Sequence, residues 1–282
     1  MVMQTSKEEN SNSLRIIQDA ALQMGVFVHK VCEKHDLRYS LFFGSLIGAV
    51  RHQGFIPWDD DLDLALPRPD YEKFLDVVVD ELPEYYELQN YRVTESVRYV
   101  SRIIDLRLPL ELDSYGEGNN SVHAWIDLFP IDGIPSGFVA RNIHYARINW
   151  HKAMCAFAAF DQAVNRKRPG RPIYQQVIIN FCIVTHFGAW MDARDELEKY
   201  DKALRRYSFD EFETCVCGVG TYHPKKQTWP KTAFTKLIQH PFCSAQLSIP
   251  VDYDSVLTKT YGDYRIIPRE SDRFPHLVRV GG

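Results

Sequence analysis

Apolar side chains recur at helical spacing over residues 13–35, where Leu14, Ile17, Ala21, Met24, Val28, Val31 and Cys32 mark one face of a predicted amphipathic helix. Residues 38–43, rich in aromatics, predict a strand. Gly44-Ser45 breaks it, and residues 46–51 predict a short helix. Gly54 and Pro57 punctuate a loop leading into residues 59–66, where acidic and apolar positions alternate as on a strand that carries Asp61 and Asp63 on one face. Pro67 and Pro69 stop that strand, and residues 71–81 read as helix. Two further strands are predicted at 97–106 and 123–129, separated by a Gly/Asn-rich turn at 116–120. Helical patterning then dominates 139–166, 173–190 and 193–207, with Pro169-Gly170 and Pro172 marking a boundary. Residues 215–219 fit a short strand, and the proline-punctuated tail surrounds a helix at 253–261. Helices and short strands both recur along the chain, which implies the α+β class.

A chain of 282 residues accommodates one core domain with a helical annex. The pattern divides it into a polar, disordered lead (1–12), a core (13–136), a helical insertion (137–210) and a C-terminal segment that packs back on the core (211–282). With 45% apolar residues a substantial core is available, and a net charge of −4 argues against a protein that binds nucleic acid by blanketing its phosphates. The six cysteines are scattered without a CxxC pair, as expected of free thiols in a reducing compartment. The polar N-terminus lacks the apolar stretch of a signal peptide. The most apolar window, residues 177–190, contains Asn180, Thr185 and His186 and suits a buried helix better than a membrane span. The expectation is a cytoplasmic protein, with peripheral contact at the inner face of the membrane left open.

Four aspartates occupy five positions (Asp59, Asp60, Asp61 and Asp63) between Trp58 and the apolar Leu62, Leu64 and Leu66. Carboxylates crowded into partly apolar surroundings repel one another and must protonate or meet a cation. A calcium loop is excluded, because its sixth and twelfth positions would be Leu64 and Asp70 where glycine and glutamate are required. A solvated acidic turn is the plain alternative, weakened by the flanking apolar residues. On a strand, Asp61 and Asp63 would project in parallel about 6–7 Å apart, a spacing that can share a pair of hard cations. Gly44 and Ser45, opening a helix, could hold phosphate oxygens on backbone N–H groups, and Arg51 could balance phosphate charge. His52 beside Arg51 reads as a capping residue or a binding residue, and Trp58 as packing or a stacking platform.

The stretch GSLIGAVRHQGFIPWDDDLDLALPRPDYEKF resembles the LicD branch of the nucleotidyltransferase superfamily, which includes bacterial phosphocholine transferases and the fukutin-related proteins. Weaker echoes are WIDLFPIDGIP (125–135) and VDYDSVLTKTYGDYRIIP (251–268), so the resemblance runs over most of 14–276, while residues 139–210 match little. The resemblance implies Asp61 and Asp63 as paired metal ligands, with a third carboxylate from a neighbouring strand. Asp127 is the choice for that role and Asp105 the competitor; Asp59 and Asp60 stand as supporting or capping groups, and Asp132 as part of a turn. It also implies Mg²⁺ or Mn²⁺ as a pair of ions, and transfer of a phospho-alcohol, phosphocholine first, from a CDP-linked donor such as CDP-choline. The acceptor would be a sugar hydroxyl of a polysaccharide, teichoic acid or lipid-linked glycan. In that scheme Gly44, Ser45, Arg51, His52 and Trp58 would contact donor and phosphates, and His276 and Arg265 could reach the site from the tail. The run Arg166-Lys167-Arg168 with Arg171 is a solvated linker, or rests on anionic lipid if the acceptor is lipid-linked. Transfer of a nucleotide with release of pyrophosphate, and metal or nucleotide binding without turnover, remain the alternatives.

Overall fold

Helix α1 (Val2–Lys34) lays Ile17, Ala21, Met24, Val28 and Val31 into the core against a mixed β-sheet. The structure, a computed structural model, describes residues 2–112, 121–160, 173–220, 223–269, 273 and 278–280. Helix α1 begins earlier than the apolar pattern, since once a helix is nucleated each added residue gains a hydrogen bond. After it come β1 (Ser40–Leu41), α2 (Phe43–His52), β2 (Asp63–Pro67), α3 (Arg68–Val78), β3 (Tyr86–Gln89), β4 (Ser101–Leu112) and β5 (Ser121–Ile134). The annex holds α4 (Phe138–Ala158), α5 (Ile173–Thr185) and α6 (Ala193–Leu204). Then follow β6 (Thr214–Val216), β7 (Thr228–Pro230), β8 (Leu237–Phe242), β9 (Ala245–Pro250), α7 (Tyr253–Tyr261) and β10 (Val278–Val280).

The sheet runs β1-β2-β5-β4-β10, with β3 added beside β4 and β6 joining β5 to β7. Only β2 and β5 pair in parallel; the other pairings are antiparallel. Strand β1 is shorter than its aromatic content suggests. Arg38 is drawn aside, its backbone N–H and Nε both donating to the Asp70 carboxylate (3.3 and 2.8 Å). At the other end Phe43 takes a positive φ of 40°, turning the chain abruptly into α2. Strand β2 also begins late, at Asp63, because the preceding residues form a turn closed by the Asp59 N–H donating to the Ile56 carbonyl (2.9 Å).

Strand β5 runs five residues beyond its predicted end. Its pairing with β4 stops at Leu128 and its pairing with β6 starts at Asp132, so Pro130, which has no N–H to donate, falls in the gap between partners. Asp132 is therefore a fully buried strand residue, not part of a turn. It receives a bidentate grip from Arg68 Nε and NH2 (2.7 and 2.8 Å). Around it Tyr99 and Asp201 accept from Arg68, and Glu72, Arg92 and Arg205 complete a network joining α3, β5 and α6. The β8–β9 hairpin, hidden in the sequence by its prolines, docks on the end of α2 through Cys243 N–H donating to the Gln53 carbonyl (2.6 Å) and the Phe55–Phe242 ring contact.

In the annex, α4 ends at Ala158, and residues 161–166 of the predicted helix lie outside the described residues. One expectation fails: α5 is exposed rather than buried, with Val177, Phe181 and Val184 all facing solvent. No described helix is long and apolar enough to cross a membrane. All six cysteines are free. The turn at 116–120, the basic residues Arg166, Lys167, Arg168 and Arg171, and His276 lie outside the described residues.

Candidate active site

Parallel pairing of β2 with β5 places Asp63 directly beside Asp127, and antiparallel pairing of β5 with β4 places Asp127 beside Arg102. Neighbouring strands lie about 4.8 Å apart, so these three side chains form one row on one face of the sheet. Asp105 sits three residues beyond Arg102 and opposite Ala124, which turns it to the other face. There it is held by Arg107 (2.8 and 2.6 Å). Of the two competing carboxylates, Asp127 is the one brought to Asp63.

Asp127 accepts from Arg102 Nε (2.7 Å) and from Trp125 Nε1 (3.3 Å), and the Arg102 guanidinium lies 4.4 Å from the centre of the Trp125 ring. Asp63 is buried, which is the main reason its carboxyl is pushed well above the usual range; Asp61, Asp127 and Asp59 push it further and Arg102 opposes them. Asp59 is pushed up to about 8, first by burial and then by Asp61 and Asp60, and it shares a hydrogen bond with the Asp61 carboxyl. Asp60 is buried beside them. Two carboxyl groups can share such a bond only with a proton between them. The donor set is all oxygen and short of positive charge, which suits a hard divalent cation.

Among the described residues no group of three or more His, Cys, Asp or Glu is placed to hold a metal ion by itself. Mg²⁺ does not need one, since it commonly binds one or two carboxylates and fills its remaining positions with water and substrate phosphate. The residues present therefore fit a cation that arrives with a phosphorylated donor.

The sequence profile of the LicD/FKTN/FKRP nucleotidyltransferase domain matches residues 36–158, the span that contains this row. Over that span the chain is similar to a LicD-family nucleotidyltransferase domain. It is 28% identical over 270 residues to the lipopolysaccharide cholinephosphotransferase LicD of Haemophilus influenzae, covering 95% of this chain and 97% of that protein. An uncharacterised protein of Rickettsia typhi is 34% identical over 107 residues, 37% of this chain and 31% of its own.

The other expected residues are spread out. Ser45 Oγ accepts the Asp63 backbone N–H (2.9 Å), so the buried serine fixes the start of β2. Gly44 packs against the Asp59 carboxylate: a Cβ there would lie 2.7 Å from Asp59 Oδ2, and any larger residue would displace it. Arg51 lies seven residues further along α2, about 10 Å away. It donates to the Tyr264 carbonyl and to His52 Nε2 (both 2.9 Å), and its burial lowers its proton affinity. His52, acting as acceptor, is likewise lowered by burial and by Arg51. Trp58 carries the Arg273 guanidinium over its ring at 4.6 Å. Arg265 pairs with Asp254 rather than with the aspartate row.

Three neighbours of the row escaped the sequence reading. Trp125 and Asp127 are two apart on one strand, a signal that was available. Arg102 needed the β4–β5 register. Tyr261, half-exposed at the end of α7, has its phenol pushed upward first by the burial of its hydroxyl end and then by Asp63, Asp59 and Asp61.

Proposed function

We propose that this protein is a divalent-cation-dependent transferase that moves phosphocholine from CDP-choline to a sugar hydroxyl of a surface glycan, with CMP as the leaving product. The observation that carries the reading is the Asp63–Asp127 pair in register on adjacent parallel strands, with Asp61 beside it and one arginine to offset the charge. The name of the Haemophilus influenzae relative, a lipopolysaccharide cholinephosphotransferase that aligns over nearly the whole chain, supports the choice of transferred group and glycan class.

In the proposed reaction an acceptor hydroxyl oxygen attacks the phosphorus bearing choline, and the bond from that phosphorus to the bridging oxygen of CMP breaks. Asp61, Asp63 and Asp127 would hold Mg²⁺ or Mn²⁺, as a pair of ions, which supplies positive charge to the diphosphate and the leaving group. Asp127, oriented by Arg102 and Trp125, takes the hydroxyl proton. Tyr261 stays protonated at neutral pH and donates a hydrogen bond to a phosphate oxygen. Arg51 and His52 line the α2 end of the site, where Arg51 is tied to the C-terminal segment.

Thermal unfolding with CDP-choline, CDP-ethanolamine, CDP-glycerol, CDP-ribitol, CTP and ATP, each with and without Mg²⁺, tests the reading. Binding to the folded state alone raises the midpoint. A rise of several degrees that needs both Mg²⁺ and CDP-choline is expected, followed by CMP release with a glycan acceptor. Stabilisation by a nucleoside triphosphate with pyrophosphate release would replace this reading with nucleotidyl transfer. Silence with every donor would leave a non-catalytic protein.

A further inference from the structure

The annex contains a surface that the aspartate row does not use. Residues 173–190 contain no Asp, Glu, Lys or Arg, an unusual absence for exposed chain. Helix α5 opens this stretch and is held by its C-terminal end: Cys182 is buried, and Phe187 meets the Phe157 and Phe181 rings at 5.1 and 6.0 Å. Ile173, Val177, Phe181 and Val184, at i, i+4, i+8 and i+11, form one stripe that points away from the protein. Each is more than half exposed, Ile173 and Val184 at 80%, and Trp190 follows at 78%. A soluble monomer rarely leaves such a row uncovered.

Charge distribution says what covers it. Across residues 138–191 the sequence has seven Lys or Arg and one acidic residue, Asp161, although the whole chain is net −4. Arg141 and Arg147 lie on α4, and α4 itself has no acidic residue. A second copy paired about a two-fold axis would set this basic region against itself. A layer of anionic headgroups would attract it while accepting the apolar stripe. At 13 residues α5 is about 20 Å long, too short for a hydrocarbon core of about 30 Å, so it can lie in an interface but not span one. Trp190 stands where interfacial tryptophans prefer to sit.

We propose that the outward stripe of α5, extended by Trp190, docks this protein on an anionic lipid bilayer. Docking of this kind holds the molecule at a surface, and no described helix is long and apolar enough to span one. The inference stands apart from the transferase reading, and its test involves no turnover.

The test is co-sedimentation of the full chain with vesicles of phosphatidylcholine alone, or of phosphatidylcholine and phosphatidylglycerol in equal parts. Binding to the mixed vesicles that weakens with added salt is expected, and the Val177→Asp/Val184→Asp double variant should lower the bound fraction at least about tenfold. Circular dichroism checks that the variant is folded, and Trp190→Ala provides a milder change outside the helix with the same direction. Equal binding by wild type and both variants overturns the proposal, as does equal binding to neutral vesicles. Absence of vesicle binding also overturns it, and if wild type then dimerises while the double variant does not, the stripe belongs to a second copy.

Discussion

Strand β5 carries two aspartates five residues apart, Asp127 and Asp132, and their surroundings differ in one respect. Asp132 belongs to a cluster in which Asp132, Asp201 and Glu72 meet Arg68, Arg92 and Arg205, so every buried carboxylate has a guanidinium partner. Asp127 belongs to a cluster in which Asp59, Asp61, Asp63 and Asp127 share Arg102. The first cluster is electrically closed and ties α3, β5 and α6 together. The second is open: Asp59 and Asp63 are raised first by burial and then by the neighbouring carboxylates, and Arg102 offsets this only in part. Similar side chains, on one strand, thus become a structural clamp or a cation-seeking site according to how many arginines fold in beside them.

Substitution at the open cluster should remove function and spare the fold. Asp63→Asn is expected to lower turnover with CDP-choline at least about a thousandfold, some 4 kcal/mol or more of transition-state stabilisation. The same variant, free of metal, should unfold at a midpoint no lower than wild type, because one repelling charge has gone. A large fall in that midpoint would show that Asp63 is a structural residue after all.

The closed cluster should behave in the opposite sense. Asp132→Asn leaves Arg68 buried without its bidentate partner, and breaking a buried pair in this way costs about 3–5 kcal/mol. Urea unfolding should show the loss directly, with activity per folded molecule little changed. Equal stability of variant and wild type would mean that Tyr99 and Asp201 alone suffice to hold Arg68.

Acid sharpens the contrast more gently. His144 is fully buried, with no hydrogen-bond partner for either ring nitrogen, and burial followed by Arg147 and Arg206 lowers it from 6.5 to about 4. The unfolded chain therefore binds this proton first as pH falls. Its contribution is complete above about pH 6.5 and is lost progressively towards pH 4, up to about 3 kcal/mol in all. Glu72 has its folded affinity lowered by Arg92 and Arg68 against the effect of burial, so it adds a further loss below its ordinary value of 4.5. His144→Phe should flatten the upper part of the pH–stability curve and leave the lower part; an unchanged curve would remove His144 as its cause.

Much of this was legible in the chain. Helix α7 was predicted with the observed bounds, and α1 followed from its apolar stripe, because both are local patterns of 3.6-residue spacing. The aspartate run stood out because acidic and apolar residues alternate around it. Other features were legible only in part. Asp105 and Asp127 each sit mid-strand among apolar neighbours, and nothing local distinguishes them. The exposed state of α5 was missed because an apolar helix looks the same in sequence whether the protein or something else covers it.

The sequence by itself determined helices such as α1 and α7 and where the carboxylates are concentrated, since these depend on spacing and residue type along the chain. Only the tertiary structure decided that Asp63, Asp127 and Arg102 share a row, and that Asp105 and Asp132 are taken by other arginines. Those outcomes depend on strand register, where a shift of one residue would turn each side chain to the opposite face, and register is set by pairing between segments far apart in the chain.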